Sequence, residues 1–124
     1  IDTASRHLRD QRQESTALIE RTKQYILSNL KDATREKAAA SVYLNPAYLS
    51  RLFKRETGQT LIDYMTGARI DWAKLLLAET NMRVVDICEA VGYDNYSHFG
   101  QAFKKKVGLS PQEYRRRYRQ LDSK

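Results

Sequence analysis

The chain has 124 residues, 41% hydrophobic and 30% charged, which suits one domain and is globular rather than disordered. Its one cysteine, Cys88, excludes an internal disulfide and a multi-cysteine zinc site, and two distant histidines, His7 and His98, offer little for metal chemistry. No apolar run could span a bilayer and no segment has the layout of a secretory signal, so a cytoplasmic, cofactor-free protein is the expectation.

Twenty-two Lys and Arg against 15 Asp and Glu give a net charge of +7 and a pI near 9.6. Residues 81–124 carry nine positive and five negative charges, more than half of the excess. A basic domain favours nucleic acid, or less often an anionic membrane.

Residues 1–15 are polar and rich in Arg and Gln, without a starting methionine, and read as the end of a linker from an upstream domain. Helical spacing then predicts a first helix at about 16–31, with Leu18, Thr22, Tyr25, Ile26, Asn29 and Leu30 on one face. A short second helix follows Thr34 and buries Ala38, Ala39 and Val42. The third runs from Pro46 to Thr57, capped by Asn45, with proline at the first helical position and Gly58 as the stop. Thr60 opens a long fourth helix to about Glu79, whose apolar positions are Leu61, Met65, Ala68, Trp72, Leu75 and Leu76. A fifth, about 84–91, buries Val84, Ile87, Cys88 and Val91, and a sixth runs from Asn95 to Val107 and stops at Gly108. Ser110-Pro111-Gln112-Glu113 combines a cap, an N1 proline and a capping glutamate to open a seventh. Residues 120–124 read as a tail. No stretch alternates as a strand does, so the expected fold is all-α.

Shifted by 50 residues, part of the chain matches itself: Asn45 on Asn95, Phe53-Lys54 on Phe103-Lys104, Gly58 on Gly108, Thr60 on Ser110, Tyr64 on Tyr114 and Arg69 on Arg119. The second helix matches the fifth at a shift of 49, so the second copy has one extra residue in its turn. Each copy reads as a helix-turn-helix unit, and the fourth helix joins them: lobe one about 16–59, linker helix about 60–79, lobe two about 80–119.

The outward faces carry the functional signal. Leu49, Leu52 and Phe53 face inward in the third helix, leaving Ala47, Ser50, Arg51 and Lys54 outside. Phe99, Ala102 and Phe103 face inward in the sixth, leaving Ser97, Gly100, Gln101 and Lys104. Both outer stripes are small, polar or basic and contain no acid, as a helix entering a major groove requires. An ordinary solvated helix face is the bland alternative. A helical protein-interaction or RNA-binding module is the rival class, although neither stripe carries an aromatic platform for unstacked bases. Paired acids, an activated nucleophile and a phosphate-cradling loop are all missing from the pattern, so no enzyme is expected.

Leu44-Asn45-Pro46-Ala47-Tyr48-Leu49-Ser50-Arg51-Leu52-Phe53-Lys54-Arg55-Glu56-Thr57-Gly58 resembles the first helix-turn-helix of AraC/XylS-type transcription regulators. Val91-Gly92-Tyr93-Asp94-Asn95-Tyr96-Ser97-His98-Phe99, with Phe103-Lys104-Lys105, Gly108, Ser110-Pro111 and Tyr114-Arg115, resembles the second. Arg69, Ala73 and Leu75-Leu76 stand where that family's linker helix has its recurrent Arg, Ala and Leu-Leu, and the likeness covers about 17–119. Val42-Tyr43-Leu44-Asn45-Pro46 is similar to the output domain of YesN-type two-component response regulators, which implies an upstream receiver domain.

The resemblance implies sequence-specific duplex DNA binding by two recognition helices in adjacent major grooves, with RNA polymerase as a further partner. Carried over by position, the base-edge residues are Ala47, Ser50 and Arg51, then Ser97, Gly100 and Gln101. The backbone contacts are Asn45, Lys54, Asn95, Tyr96, Lys104 and Lys105. Arg51 suits guanine and Gln101 adenine. A linker helix of about 20 residues is roughly 30 Å long, comparable with the roughly 34 Å between successive major grooves on one face, so one chain could read an asymmetric bipartite site. Three departures stand out: Arg35, Lys37 and Ala38 suggest a lightly packed second helix, His98 replaces a common Tyr, and Gly100 weakens the second recognition helix by about 1 kcal/mol relative to alanine.

Overall fold

A computed structural model describes residues 3–119 and the side chains from Arg9 onward, so the expected tail at 120–124 lies outside the described residues. They form seven helices and no strand: α1 (Thr3–Ser28), α2 (Arg35–Ser41), α3 (Pro46–Thr57), α4 (Leu61–Glu79), α5 (Val84–Ala90), α6 (Tyr96–Val107) and α7 (Pro111–Tyr118). The chain divides into two compact units, one holding residues up to Asn29 with Ala33–Tyr64, the other Leu30–Asp32 with the residues from Met65 onward.

In the first unit α1, α2 and α3 pack on one another. Helix α1 begins at Thr3 rather than near residue 16, because the Arg, Gln and Glu residues of its first half are good helix formers with no Gly or Pro among them. That half is exposed from Arg9 to Glu14, and its lack of an apolar stripe is why periodicity missed it. Of the expected inner face Thr22, Ile26 and Leu30 are buried, and Ile19 is buried in place of Leu18. Leu18 and Tyr25 are half-buried, and Asn29 is exposed. The buried Thr22 hydroxyl donates to the Leu18 carbonyl at 2.8 Å, which satisfies it within the helix.

Helix α2 starts where Thr34 accepts the Lys37 N–H at 3.0 Å. Far from packing lightly, it buries Ala38 and Ala39 completely, their small side chains permitting close approach despite the neighbouring charges. Asn45 Oδ1 accepts from the N–H groups of Ala47 and Tyr48 at 2.8 and 3.2 Å, and Gly58 closes α3 in the left-handed conformation. Leu49, Leu52 and Phe53 are buried, and Phe53 stacks on Tyr64 with centroids 5.4 Å apart.

The second unit is built on Ile70, Ala73, Leu77, Ile87, Cys88, Val91, Phe99 and Phe103, all buried. Leu61 and Met65 are buried as expected, but after them the core face of α4 is Ile70-Ala73-Leu77, not the expected Ala68-Trp72-Leu75-Leu76. Trp72 and Leu76 flank this core, Ala68 is half-buried and Leu75 is 52% exposed. Val84, expected inside, is only partly buried. Glycine closes α6 at Gly108, and Ser110 with Glu113 forms a reciprocal capping box at the start of α7. Phe103 packs against Tyr114 with centroids 5.6 Å apart, matching the Phe53–Tyr64 pair fifty positions earlier.

Candidate nucleic-acid interface

Both helix-turn-helix turns use the same hydrogen bonds. After α2, Leu44 N–H reaches the Ala39 carbonyl at 2.9 Å across Tyr43, whose φ is 60°. After α5, Tyr93 N–H reaches the Cys88 carbonyl at 3.0 Å across Gly92, whose φ is 104°. These are helix ends closed by one left-handed residue, and the pairs correspond at a shift of 49. The extra residue of the second copy is Asp94, after the turn proper. The second helix of each unit therefore leaves its turn with its apolar side on the core and its polar stripe outward.

On α3 that stripe exposes Ala47, Arg51 and Lys54, with Ser50 half-buried. On α6 it exposes Ser97, Gln101, Lys104 and Lys105, with Gly100 partly covered but with open space where a Cβ would stand. Neither stripe carries an acid. Glu56, at the end of α3, lies 3.1 Å from Arg55. Glu113 turns its Oε1 onto the Ser110 N–H at 2.7 Å, and this bond, with Lys104 and Arg116 nearby, holds its carboxyl below the usual range.

Several expected contact groups are already engaged. Asn95 Oδ1 accepts the His98 N–H at 2.8 Å, so each cap asparagine has only its amide NH2 to offer outward. Lys54 Nζ donates to the Gly58 carbonyl at 3.1 Å, which leaves two of its three N–H donors for a phosphate. Tyr96 Oη accepts from Gln112 Nε2 at 2.6 Å, a partner that sequence reasoning missed because it lies 16 residues away on another helix. His98 sets its ring edge-on to Tyr93, centroids 5.6 Å apart, which gives it a packing role.

The basic run on α7 divides by geometry. Arg115 donates to the carbonyls of Leu77 and Thr80 at 3.0 and 3.1 Å, closing the end of α4, whereas Arg116 and Arg117 are exposed. The tyrosines near the turns also divide: Tyr93 is half-buried, while Tyr43, Tyr48 and Tyr96 are exposed.

Charge separates two sides of the second unit. A cleft of about 650 Å³ beside α5 is lined by four acids, Asp32, Asp86, Glu89 and Asp94, against two cations, Lys31 and Arg83, the latter tied to Asp86 at 2.9 Å. Those acids make it a poor seat for phosphate. Burial, with Asp94 and Glu89 adding to it, raises the Cys88 thiol, which donates to the Tyr93 carbonyl at 3.6 Å. Among the described residues no group of three His, Cys, Asp or Glu is arranged to hold a metal ion, and no helix is long and apolar enough to cross a membrane.

Two helix-turn-helix units, each presenting an acid-free polar stripe on its second helix, define a helical DNA-binding domain. The helix-turn-helix domain family matches residues 38–117. The arabinose operon regulatory protein of Escherichia coli is 37% identical over 94 residues, 74% of this chain and 32% of that protein. The transcriptional regulatory protein YesN of Bacillus subtilis is 40% identical over 78 residues, 61% of this chain and 21% of that protein. The C-terminal domain of AraT, a response regulator from Geobacillus stearothermophilus, superposes with a TM-score of 0.80 at 37% identity, over 86% of this chain and 90% of that structure. The chain belongs to the AraC-type helix-turn-helix family of transcription-regulator DNA-binding domains. It spans between 12% and 39% of the length of the curated relatives it matches.

Proposed function

We propose that this domain binds duplex DNA sequence-specifically by placing α3 and α6 in adjacent major grooves of an asymmetric bipartite site. The observation that carries the reading is the pair of largely exposed, acid-free stripes at matched positions of two helix-turn-helix units, one in each compact unit of the chain. Ala47, Ser50 and Arg51 read bases from α3, and Ser97, Gly100 and Gln101 read them from α6. Arg51 takes guanine through its planar fork and Gln101 takes adenine. Asn45 and Asn95 through their amide NH2 groups, with Lys54, Tyr96, Lys104 and Lys105, take phosphates. The lobes about 16–59 and 80–119 are the readers, and helix 60–79 connects them.

The surrounding protein is a cytoplasmic transcription regulator in which residues 1–15 lead from an upstream regulatory domain. The likeness to response regulators favours a phosphoacceptor receiver there, with RNA polymerase as the downstream partner.

Selection of the chain against a random duplex library at fixed physiological salt tests the reading. Two short enriched blocks about one helical turn apart, without dyad symmetry, are expected. A single block limits base reading to one lobe. Salt-sensitive binding without enrichment removes the claim of sequence specificity.

A further inference from the structure

Beside the outer stripe of α6 lies an open groove of about 380 Å³, walled on its other side by the start of α7. Its lining includes Tyr96, Gly100 and Pro111 together with the polar side chains of Gln101, Lys104 and Gln112. No acid lines it, in contrast to the cleft beside α5. At Gly100 the groove has open space, nothing lying within 4 Å of the place a Cβ would occupy.

Across this groove the Gln112 side chain donates its N–H to Tyr96 Oη at 2.6 Å. A phenol oxygen that accepts this bond keeps its own proton to donate. Gln112 is exposed and has a second amide N–H, so two neutral donors and the Lys104 ammonium line one mostly apolar groove. A nucleic-acid strand has the complementary chemistry, with apolar sugar faces alternating with phosphate acceptors.

The matched positions of the first copy lack the pair. Fifty residues earlier, Pro46 stands for Tyr96 and Ile62 for Gln112, and Ile62 is 53% exposed with no hydrogen-bonding group to offer. The groove's polar pair therefore distinguishes the second unit from the first.

We propose that the α6–α7 groove clamps one sugar-phosphate strand of the DNA, with Gln112 as a positioning residue that aims the Tyr96 hydroxyl at a phosphate and donates to that phosphate itself. This rests on the reading above that α6 faces DNA. The open space beside Gly100 is then room for the strand. The clamp adds grip without adding sequence information, so the second unit holds the backbone more firmly than the first.

The test is a scan of the selected duplex in which single phosphates are replaced by neutral methylphosphonates, read as affinity. The chain is compared with Gln112→Ala, Tyr96→Phe and, as the matched control, Ile62→Ala. Gln112→Ala and Tyr96→Phe are expected to weaken binding about tenfold, alike for specific and random duplexes, as loss of a hydrogen bond to a charged group does. At one or two phosphates of the α6 half-site, neutralisation is expected to cost the unaltered chain about tenfold and the two variants little. Ile62→Ala keeps the unaltered profile. Equal losses in all four proteins at every phosphate overturn the clamp while leaving DNA reading intact. Absence of any duplex binding by the unaltered chain overturns both. Gln112 and Tyr96 lie at the surface, and helical content measured on each variant separates a lost contact from a lost fold.

Discussion

The Arg69 guanidinium holds one oxygen, the Leu30 carbonyl, with two N–H groups, Nε at 3.0 Å and Nη2 at 2.8 Å. Leu30 is two residues past the end of α1, so this forked contact fixes the peptide that leaves the helix against α4. A lysine ammonium could reach the oxygen but not with the same fork. Arg69→Lys is expected to lower unfolding free energy by about 1–3 kcal/mol. Urea unfolding checks this, and an unchanged midpoint would show that the fork adds nothing to stability.

Beside that contact stands Gly92, and its lack of a side chain is required twice. Its φ of 104° suits glycine, and a Cβ there would stand 2.9 Å from Arg69 Nε and 3.0 Å from the Leu30 and Lys31 carbonyl oxygens. Tyr43 holds the matched place with φ 60° but is 92% exposed, so only its backbone conformation is unfavourable. Opposite signs follow. Gly92→Ala is expected to destabilise by about 1–3 kcal/mol. Tyr43→Asn, which tolerates the left-handed region, is expected to stabilise by up to about 1 kcal/mol. Thermal unfolding of the two variants decides; a shift of the same sign in both would refute this account of the turns.

How far the sequence was legible follows from the range of each interaction. The caps Asn45 and Ser110, the stops Gly58 and Gly108 and the outer stripes were legible because each depends on residues within one or two turns. The inner faces of α1 and α4 were legible in part: Thr22, Ile26, Leu30, Leu61 and Met65 are buried as expected, whereas Leu18 and the expected α4 positions after Met65 lie one or two residues from the true core. Leucine and tryptophan at 18, 72, 75 and 76 are as apolar as the true core positions Ile19, Ile70, Ala73 and Leu77. Only the packing partner tells them apart. Gln112 and Arg115 escaped for the same reason, since their partners lie 16 and 35 to 39 residues away. Of the candidate site, the stripe members were legible as a pattern, whereas the groove beside α6 exists only once α7 is folded against it.

Arg51 and Lys54 stand one turn apart on α3 but are expected to fail differently. Arg51→Ala should cost about 1–3 kcal/mol of binding and relax preference at one base pair. Lys54→Ala should weaken every duplex similarly and flatten the salt dependence by about one unit. Titrations of specific and random duplexes over a salt series separate the two. Uniform loss from Arg51→Ala would assign that guanidinium to the backbone instead.

Acid sensitivity is expected at the start of α7. The Ser110 N–H, then the Ser110 hydroxyl, favour the charged Glu113 carboxylate, with desolvation opposing weakly, so its folded value lies below the ordinary 4.5. A depressed folded value means the contribution is complete above the unfolded value and is lost as pH falls through the folded one. Stability is therefore expected to decline on acidification below about pH 4.5, and Glu113→Gln to flatten that limb. Ser110→Ala removes the cap at any pH and should cost about 0.5–2 kcal/mol. Unfolding midpoints across an acid series check the sign; a Glu113→Gln profile as steep as the parent's would place the acid sensitivity elsewhere.

Arg115 and Arg116 are neighbours of equal charge whose surroundings predict opposite results. Arg115 spends its guanidinium on the carbonyls of Leu77 and Thr80, where α4 has no further amides to bond. Desolvation, and then the nearby Arg119, lower its pKa, as expected for a cation held inside the fold. Arg115→Ala leaves those carbonyls without their donor and should destabilise by about 1–3 kcal/mol, with the salt slope of DNA binding by the folded protein unchanged. Arg116 is exposed on the next residue, so Arg116→Ala should alter stability by less than about 0.5 kcal/mol and lower the slope by up to about one unit. Unfolding and salt-dependent binding on the same two variants give a crossed comparison. A lower slope at unchanged stability for Arg115→Ala would mean that its contacts with α4 give way to phosphate when DNA arrives.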